Sequence, residues 1–354
     1  MTDPYIFDGH NDLMSKLHAA GGRPALQGVF DGRGGAIDLP KAVQGGFGGG
    51  FFACWVPSSD DQPMEELFAL MRQPSYDIPL PTPMPQQQAL DVVLTQAALL
   101  FDLEHRGALH VCRSTADIRD ARAAGKLAAI LHMEGAEAID PDFHALDVLY
   151  AAGLRSLGPV WSRPTIYGHG VPFRFPSGPD TGPGLTPEGI RLIQACDARR
   201  IMFDLSHLNE AGFWDVAKHS TRSLVATHSN PHALCHHARN LTDRQLDAIA
   251  ESDGLVGLNF AVSFLREDGR KIADTPLEQM LRHLDYLINR LGEDRVGLGS
   301  DYDGAVVPEA LSDISKLPVL RQAMRDHGYG EALMTKICHG NWLALLDRVW
   351  GNGD

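Results

Sequence analysis

Five apolar runs in this chain each end on a side chain that binds metal or moves protons. His10 and Asp12 follow the run that starts at Tyr5, and Glu134 closes the run from Ala128 to Met133. His207 follows residues 201–205, His228 closes 223–227, and Asp301 follows 296–300. On an extended strand, residues two apart share a face, so His10 and Asp12 can reach one ion together. The two oxygens of Glu134 suit a bridge between two ions, and the imidazoles of His207 and His228 suit zinc and related metals. Asp301 suits a proton carrier, taking a proton from water and handing it to a leaving amine. Each residue alone has an ordinary reading as a core histidine, a salt-bridge partner or a turn residue. Five such run ends together point to a metallohydrolase with a dinuclear centre.

Residues spread from 10 to 301 meet only if the fold collects strand ends. Eight strand-like runs are predicted, over 5–10, 48–56, 127–133, 154–161, 201–206, 223–228, 254–261 and 296–300. Most are continuously apolar, as in parallel strands buried on both faces. Helical patterns lie between many of them. Residues 86–106 repeat apolar side chains at the helical period. Thr186-Pro187-Glu188 and Thr242-Asp243-Arg244-Gln245 open further helices through an N-cap and a capping box, and Thr275-Pro276-Leu277-Glu278 starts another. Alternating strands and helices with eight strands predict an α/β chain of the (β/α)8 TIM-barrel class, with the site at the carboxyl ends of the strands. A doubly wound open sheet is the alternative, but it concentrates its site at one switch point. Residues 1–354 read as a single domain, with no composition break and no internal repeat. Two Pro-rich segments, 57–85 and 162–185, break the regular pattern on the side where barrel loops shape pockets. The first reads equally as a lid or as surface packing; the second is expected to border the pocket.

Composition narrows the partners. The 354 residues carry 31 Lys and Arg against 45 Asp and Glu, a formal charge of −14. That balance argues against nucleic acid or an anionic membrane surface as the main partner. No apolar run reaches the roughly 18 residues of a membrane helix. The first residues lack signal-peptide character, and the polar tail offers no lipid-anchor signal. Five cysteines, an odd number without CxxC spacing, read as reduced, mostly buried thiols in a cytoplasmic protein rather than zinc ligands.

Asp8-Gly9-His10-Asn11-Asp12, Glu134-Gly135, Asp204-Leu205-Ser206-His207, Thr227-His228-Ser229 with Arg239-Asn240, and Gly299-Ser300-Asp301-Tyr302-Asp303-Gly304 together resemble the renal (membrane) dipeptidase family, in family order. The resemblance implies a zinc-dependent (β/α)8 hydrolase of the amidohydrolase type. It would cleave dipeptides by attack of a metal-bridging hydroxide, often accepting a D-residue at the carboxyl end. It further implies two Zn2+ ions, with His10 and Asp12 on the first, Glu134 bridging, and His207 and His228 on the second. Asp301 is then the acid/base and Arg239 the grip on the dipeptide carboxylate. Read alone, Arg239 is as readily a surface salt bridge. Family members are commonly dimers, so a homodimer is an expectation too. Two positions depart from the mammalian pattern. Trp161 stands where a carbonyl-polarising His is expected after strand 4, with His169 either reaching in from the loop to replace it or lying exposed. Asn259-Phe260-Ala261 stands where a substrate-binding Tyr is expected after strand 7. These departures leave substrate preference open, with N-acyl amino acids or cyclic amides as the alternative class and a metal-binding module without catalysis as the remaining one. His and carboxylate ligands also accept manganese, cobalt or iron.

Overall fold

The computed structural model describes residues 3–58 and 64–351. Eight parallel strands form its centre: β1 (Ile6–Asn11), β2 (Phe47–Trp55), β3 (Leu127–Glu134), β4 (Leu154–Gly158), β5 (Met202–Phe203), β6 (Val225–Ala226), β7 (Leu255–Asn259) and β8 (Val296–Gly299). They are ordered β5-β4-β3-β2-β1-β8-β7-β6, every neighbouring pair parallel. A parallel bridge from Asp204 to Val225 joins the two ends, with Leu205 N–H donating to Val225 O at 2.8 Å. The ring is therefore nearly closed, the barrel that the run pattern predicts.

All eight predicted runs appear as strands, but 201–206 and 223–228 contract to two residues each. There the backbone leaves the ladder so that side-chain hydrogen bonds can take over. Leu109–Val111 pairs with the start of β3 as an extra edge strand. Gln86–His105, Pro187–Arg199, Asp243–Glu251 and Leu277–Leu291 are the predicted helices. Thr186 caps its helix by accepting from Gly189 N–H at 3.1 Å. At Thr242 the box is completed by Gln245, whose side-chain oxygen accepts from Thr242 N–H at 2.8 Å.

The amino-terminal end of the barrel is plugged by one large side chain. Trp342, in the last helix (Asn341–Trp350), is fully buried, and its indole N–H donates to Leu298 O at 3.0 Å. The strands make room for it with glycine. A Cβ at Gly9 would come within 2.5 Å of the indole, and one at Gly297 equally within 2.5 Å. The opposite end stays open for chemistry.

The two irregular segments cover that open end and join each other. Tyr76–Ile78 pairs antiparallel with Phe173–Phe175, so the segment after β2 is zipped to the one after β4. Tyr76 hydroxyl donates to Gly269 O at 2.6 Å, adding the loop after β7. Arg163 locks the base of this cover. It is completely buried, bonds Glu137 Oε1 at 2.7 Å, and donates to Val56 O at 2.8 Å. Helix Met64–Leu70 also lies in the first segment, while residues 59–63 of it are outside the described range. Among the described residues no helix is long and apolar enough to cross a membrane. All five cysteines are buried and unpaired.

Candidate active site

Two buried carboxylates hold the strand ends in place before any catalytic group is considered. Asp8, inside β1, accepts from Ser300 N–H and Ser300 hydroxyl, each at 2.7 Å. That stitches β1 to the end of β8. Asp301 N–H then donates to His10 O at 3.0 Å, and Asp12 N–H to Tyr302 O at 2.9 Å. Asp204, at the end of β5, accepts from Thr227 N–H at 2.9 Å and from Thr227 hydroxyl at 2.5 Å. These bonds replace the ladder where β5 and β6 stop early. Burial pushes the Asp8 carboxyl up to about 7, against the opposing pull of its Ser300 donors.

Onto this frame come the six predicted residues. His10 and His228 are fully buried, and Asp12, Glu134 and His207 are nearly so. Glu134 is central. Its Oε1 lies 3.0 Å from His207 Nε2 and 3.5 Å from His228 Nε2, and its Oε2 lies 3.7 Å from His10 Nε2. Asp12 Oδ2 is 3.5 Å from His10 Nε2. Three overlapping sets of donor atoms converge within 4.8 Å: His10 with Asp12 and Glu134, Glu134 with His207 and His228, and His10 with His228 and Asp301. His207 and Asp301 adopt left-handed backbone, φ 70° and φ 60°, a conformation uncommon for non-glycine residues and typical of functional turns. Asp301 Oδ2 accepts from Asn259 side-chain N–H at 2.9 Å.

The electrostatics show what the cluster is suited to hold. Burial drives Glu134 well above the usual carboxylate range, with His10 opposing and Asp12 adding to the rise. Burial disfavours a charged His10, yet Glu134 and Asp12 override it and hold its imidazole up to about 10. Burial keeps His207 and His228 neutral, and their Nε2 atoms face each other at 3.2 Å. The His228 Nδ1 contacts Thr227 hydroxyl oxygen at 2.8 Å. Because that hydroxyl already donates to Asp204, Nδ1–H is the donor and Nε2 carries the free lone pair. Among the described residues, His10 Nδ1 and Nε2 and His207 Nδ1 have no hydrogen-bond partner. Buried carboxylates, bare imidazole nitrogens and a histidine drawn toward protonation fit a site built for divalent cations.

A chamber of about 260 Å3 opens over the cluster, lined by Asp12, Glu134, His207, Asp301 and the side chains of Trp161 and Phe264 among others. It shares Leu67, Trp161, Phe173 and Lys271 with an outer, mainly apolar chamber of about 310 Å3. Trp161 stands between them, its ring centroid 5.9 Å from that of His207. The other two predicted substrate residues sit differently. His169 is half-buried, with Nδ1 3.3 Å from Gly184 O, and lines neither chamber. Arg239 is buried behind His228, donating to Ser229 hydroxyl and His228 O, each at 2.9 Å. Its Nε has no partner among the described residues.

Sequence reasoning did not single out Asp8, Asp204, Thr227, Ser300 or Lys271. The first four lie inside the quoted motifs, and their signal is a carboxylate or hydroxyl within an apolar run one to three residues from a predicted site residue. Lys271 lies in a polar stretch and carries no such signal.

Comparisons with known proteins agree with this geometry. Residues 1–352 match the family model described as Membrane dipeptidase (Peptidase family M19). A metallo peptidase from Rhodobacter sphaeroides, solved with a phosphinate mimic of the dipeptide L-Ala-D-Ala, is 53% identical, with TM-score 0.95 over 99% of this chain and 100% of that one. A protein of Klebsiella pneumoniae from the pqqA 5' region is 49% identical over 74% of this chain and 97% of its own length. Dipeptidase verJ of Clonostachys rogersoniana is 26% identical over 99% of this chain and 85% of its own. The chain belongs to the membrane dipeptidase family of metallopeptidases.

Proposed function

We propose that the protein is a di-zinc dipeptidase that hydrolyses the peptide bond of dipeptides, including those with a D-residue at the carboxyl end. The observation that carries the reading is the convergence of His10, Asp12, His207 and His228 around the Glu134 carboxylate, beside Asp301 and under the inner chamber. The similarity to a protein solved with an L-Ala-D-Ala mimic supports the substrate class. His10 and Asp12 would hold one cation, His207 and His228 the other, and Glu134 would touch both. Cations bound there supply Lewis acidity toward the scissile carbonyl and lower the pKa of water.

The chain's own groups do the rest. Asn259 fixes Asp301 through the 2.9 Å hydrogen bond, leaving its other carboxylate oxygen to take a proton and return it to the departing amine. Trp161, Phe173 and Phe264 wall the chamber with apolar surface, which excludes water and strengthens the local field. Arg239, buried behind His228, adds positive charge that acts on Asp301 and Glu134. The five unpaired buried thiols support a reducing, cytoplasmic setting.

Metal-loaded protein should hydrolyse L-Ala-D-Ala and L-Ala-L-Ala, with zinc recovered at two ions per chain. A second reading, N-acyl amino acids as substrates, draws on the apolar outer chamber. Side-by-side turnover of dipeptides and N-acetyl amino acids decides, and faster cleavage of the latter replaces the dipeptidase assignment.

A further inference from the structure

One cation sits at the neck between the two chambers. Lys271 lines both, and its backbone N–H donates to Met71 O at 2.8 Å, which fixes its place under the first covering segment. The side chain extends outward. Its Nζ lies 3.9 Å from the centroid of the Phe68 ring and 3.9 Å from Met71 Sδ, and both residues line only the outer chamber. Among the described residues these are its side-chain partners, and neither carries a charge. The other cations nearby are placed for other work. Arg239 is committed to Ser229 and His228 O, and Lys16 is exposed at the rim of the inner chamber. Burial lowers the Lys271 pKa to about 8, with Asp301 opposing from a distance, and no carboxylate among the described residues pairs directly with its ammonium.

The outer chamber is otherwise mainly apolar, presenting Leu67, Phe68, Met71 and Ile78, with Thr82 and Ser162 as its uncharged polar side chains. A side chain reaching from the inner chamber through this neck would meet apolar walls along its stem and an ammonium at its side. We propose that Lys271 is a specificity-determining residue that selects dipeptides carrying an acidic side chain, by pairing with that carboxylate in the outer chamber. The inference rests on the dipeptidase reading and deepens it to a substrate class. The outward direction of Nζ favours a side-chain carboxylate over the α-carboxylate, which stays with the peptide backbone in the inner chamber.

The test compares kcat/KM of metal-loaded wild type and Lys271→Met on two pairs, L-Ala-D-Glu against L-Ala-D-Gln and L-Glu-D-Ala against L-Gln-D-Ala. The Glu member of one pair should be preferred by about 10- to 100-fold, the range for a charge-assisted hydrogen bond. The pair showing the preference identifies the half of the substrate that enters the outer chamber. Lys271→Met should abolish the preference while changing turnover of the Gln member less than threefold, and Lys271→Arg should restore part of it. Methionine matches the length and apolar stem of lysine, so a merely structural effect would lower both members alike. An equal loss on Glu and Gln assigns Lys271 to a group common to both and overturns the inference, as does a wild type without any preference. Failure of wild type to cleave any of the four dipeptides overturns the dipeptidase reading itself and this inference with it.

Discussion

Replacing Asp301 by asparagine removes a proton carrier and little else. The backbone at 301 is left-handed, φ 60°, and asparagine adopts that region as readily as aspartate. Its position is fixed by main-chain bonds that the substitution leaves alone: Asp301 N–H to His10 O at 3.0 Å, and Ala305 N–H to Asp301 O at 2.9 Å. The side-chain amide oxygen can still accept from Asn259, which now bonds Oδ2 at 2.9 Å. Folding stability should therefore stay within about 1 kcal/mol of wild type. A carboxamide cannot take a proton at neutral pH. Loss of a general acid/base typically removes a factor of about 10²–10⁴. At about 1.36 kcal/mol per factor of ten, this raises the barrier by roughly 2.7–5.4 kcal/mol. The assay is turnover of L-Ala-D-Ala by Asp301→Asn, with metal content by elemental analysis and unfolding by circular dichroism on the same samples. The expected result is a collapse of kcat with metal content and melting temperature preserved. Activity within threefold of wild type refutes the assignment. So does loss of metal in parallel with activity, because Asp301 lies close enough to His10 and His228 to act as a ligand instead.

Three further outcomes rest on the same structure. Chelation should lower the melting temperature and metal should restore it, since Asp12, Glu134 and Asp301 otherwise face one another inside the barrel; ligand at a thousand times Kd stabilises by about 4 kcal/mol, and an unchanged melt speaks against a built metal site. Trp342→Ala should cost about 3–5 kcal/mol in denaturant unfolding, because Gly9 and Gly297 leave a space that no neighbouring side chain fills; a loss under 1 kcal/mol contradicts its role as the plug. His283 gives a pH effect of known sign. Burial holds it down to about 4 from 6.5, against the hydrogen bond to Leu265 O, so its contribution is complete above pH 6.5 and is lost as pH falls toward 4. The shift corresponds to about 3 kcal/mol at most. Urea titrations of metal-free wild type and His283→Gln at pH 6.5 and 4.5 should show the variant losing less on acidification, and equal losses refute the effect.

The clustered histidines and carboxylates were legible because each ends an apolar run, and a parallel barrel turns that one-dimensional regularity into convergence. Three consequences of packing were not. The first is how β5 and β6 hold His207 and His228: as two-residue strands they have almost no ladder, and Asp204 with Thr227 provides the hydrogen bonds that the backbone does not. In sequence, Asp204 is one acid inside an apolar run, and only the proximity of Thr227 shows that it pairs strands 23 residues apart. The second is the cover. Tyr76–Ile78 and Phe173–Phe175 are too short to read as strands, and their stability comes from pairing across nearly a hundred residues, which local periodicity cannot encode. The third follows from the second. Lys271 has no motif, and it acquires a role only because Met71 and Phe68 of the cover are laid against it. Arg239 moved the other way: a sequence motif marked it as the carboxylate grip, while the fold engages its two terminal nitrogens behind His228. The predicted metal ligands sit on strands or within a few residues of their ends, where pattern and geometry coincide. The chamber walls sit largely on loops joined by tertiary contacts, as Phe173 and Lys271 do, so the shape of the pocket was the part of this protein that its sequence could not show.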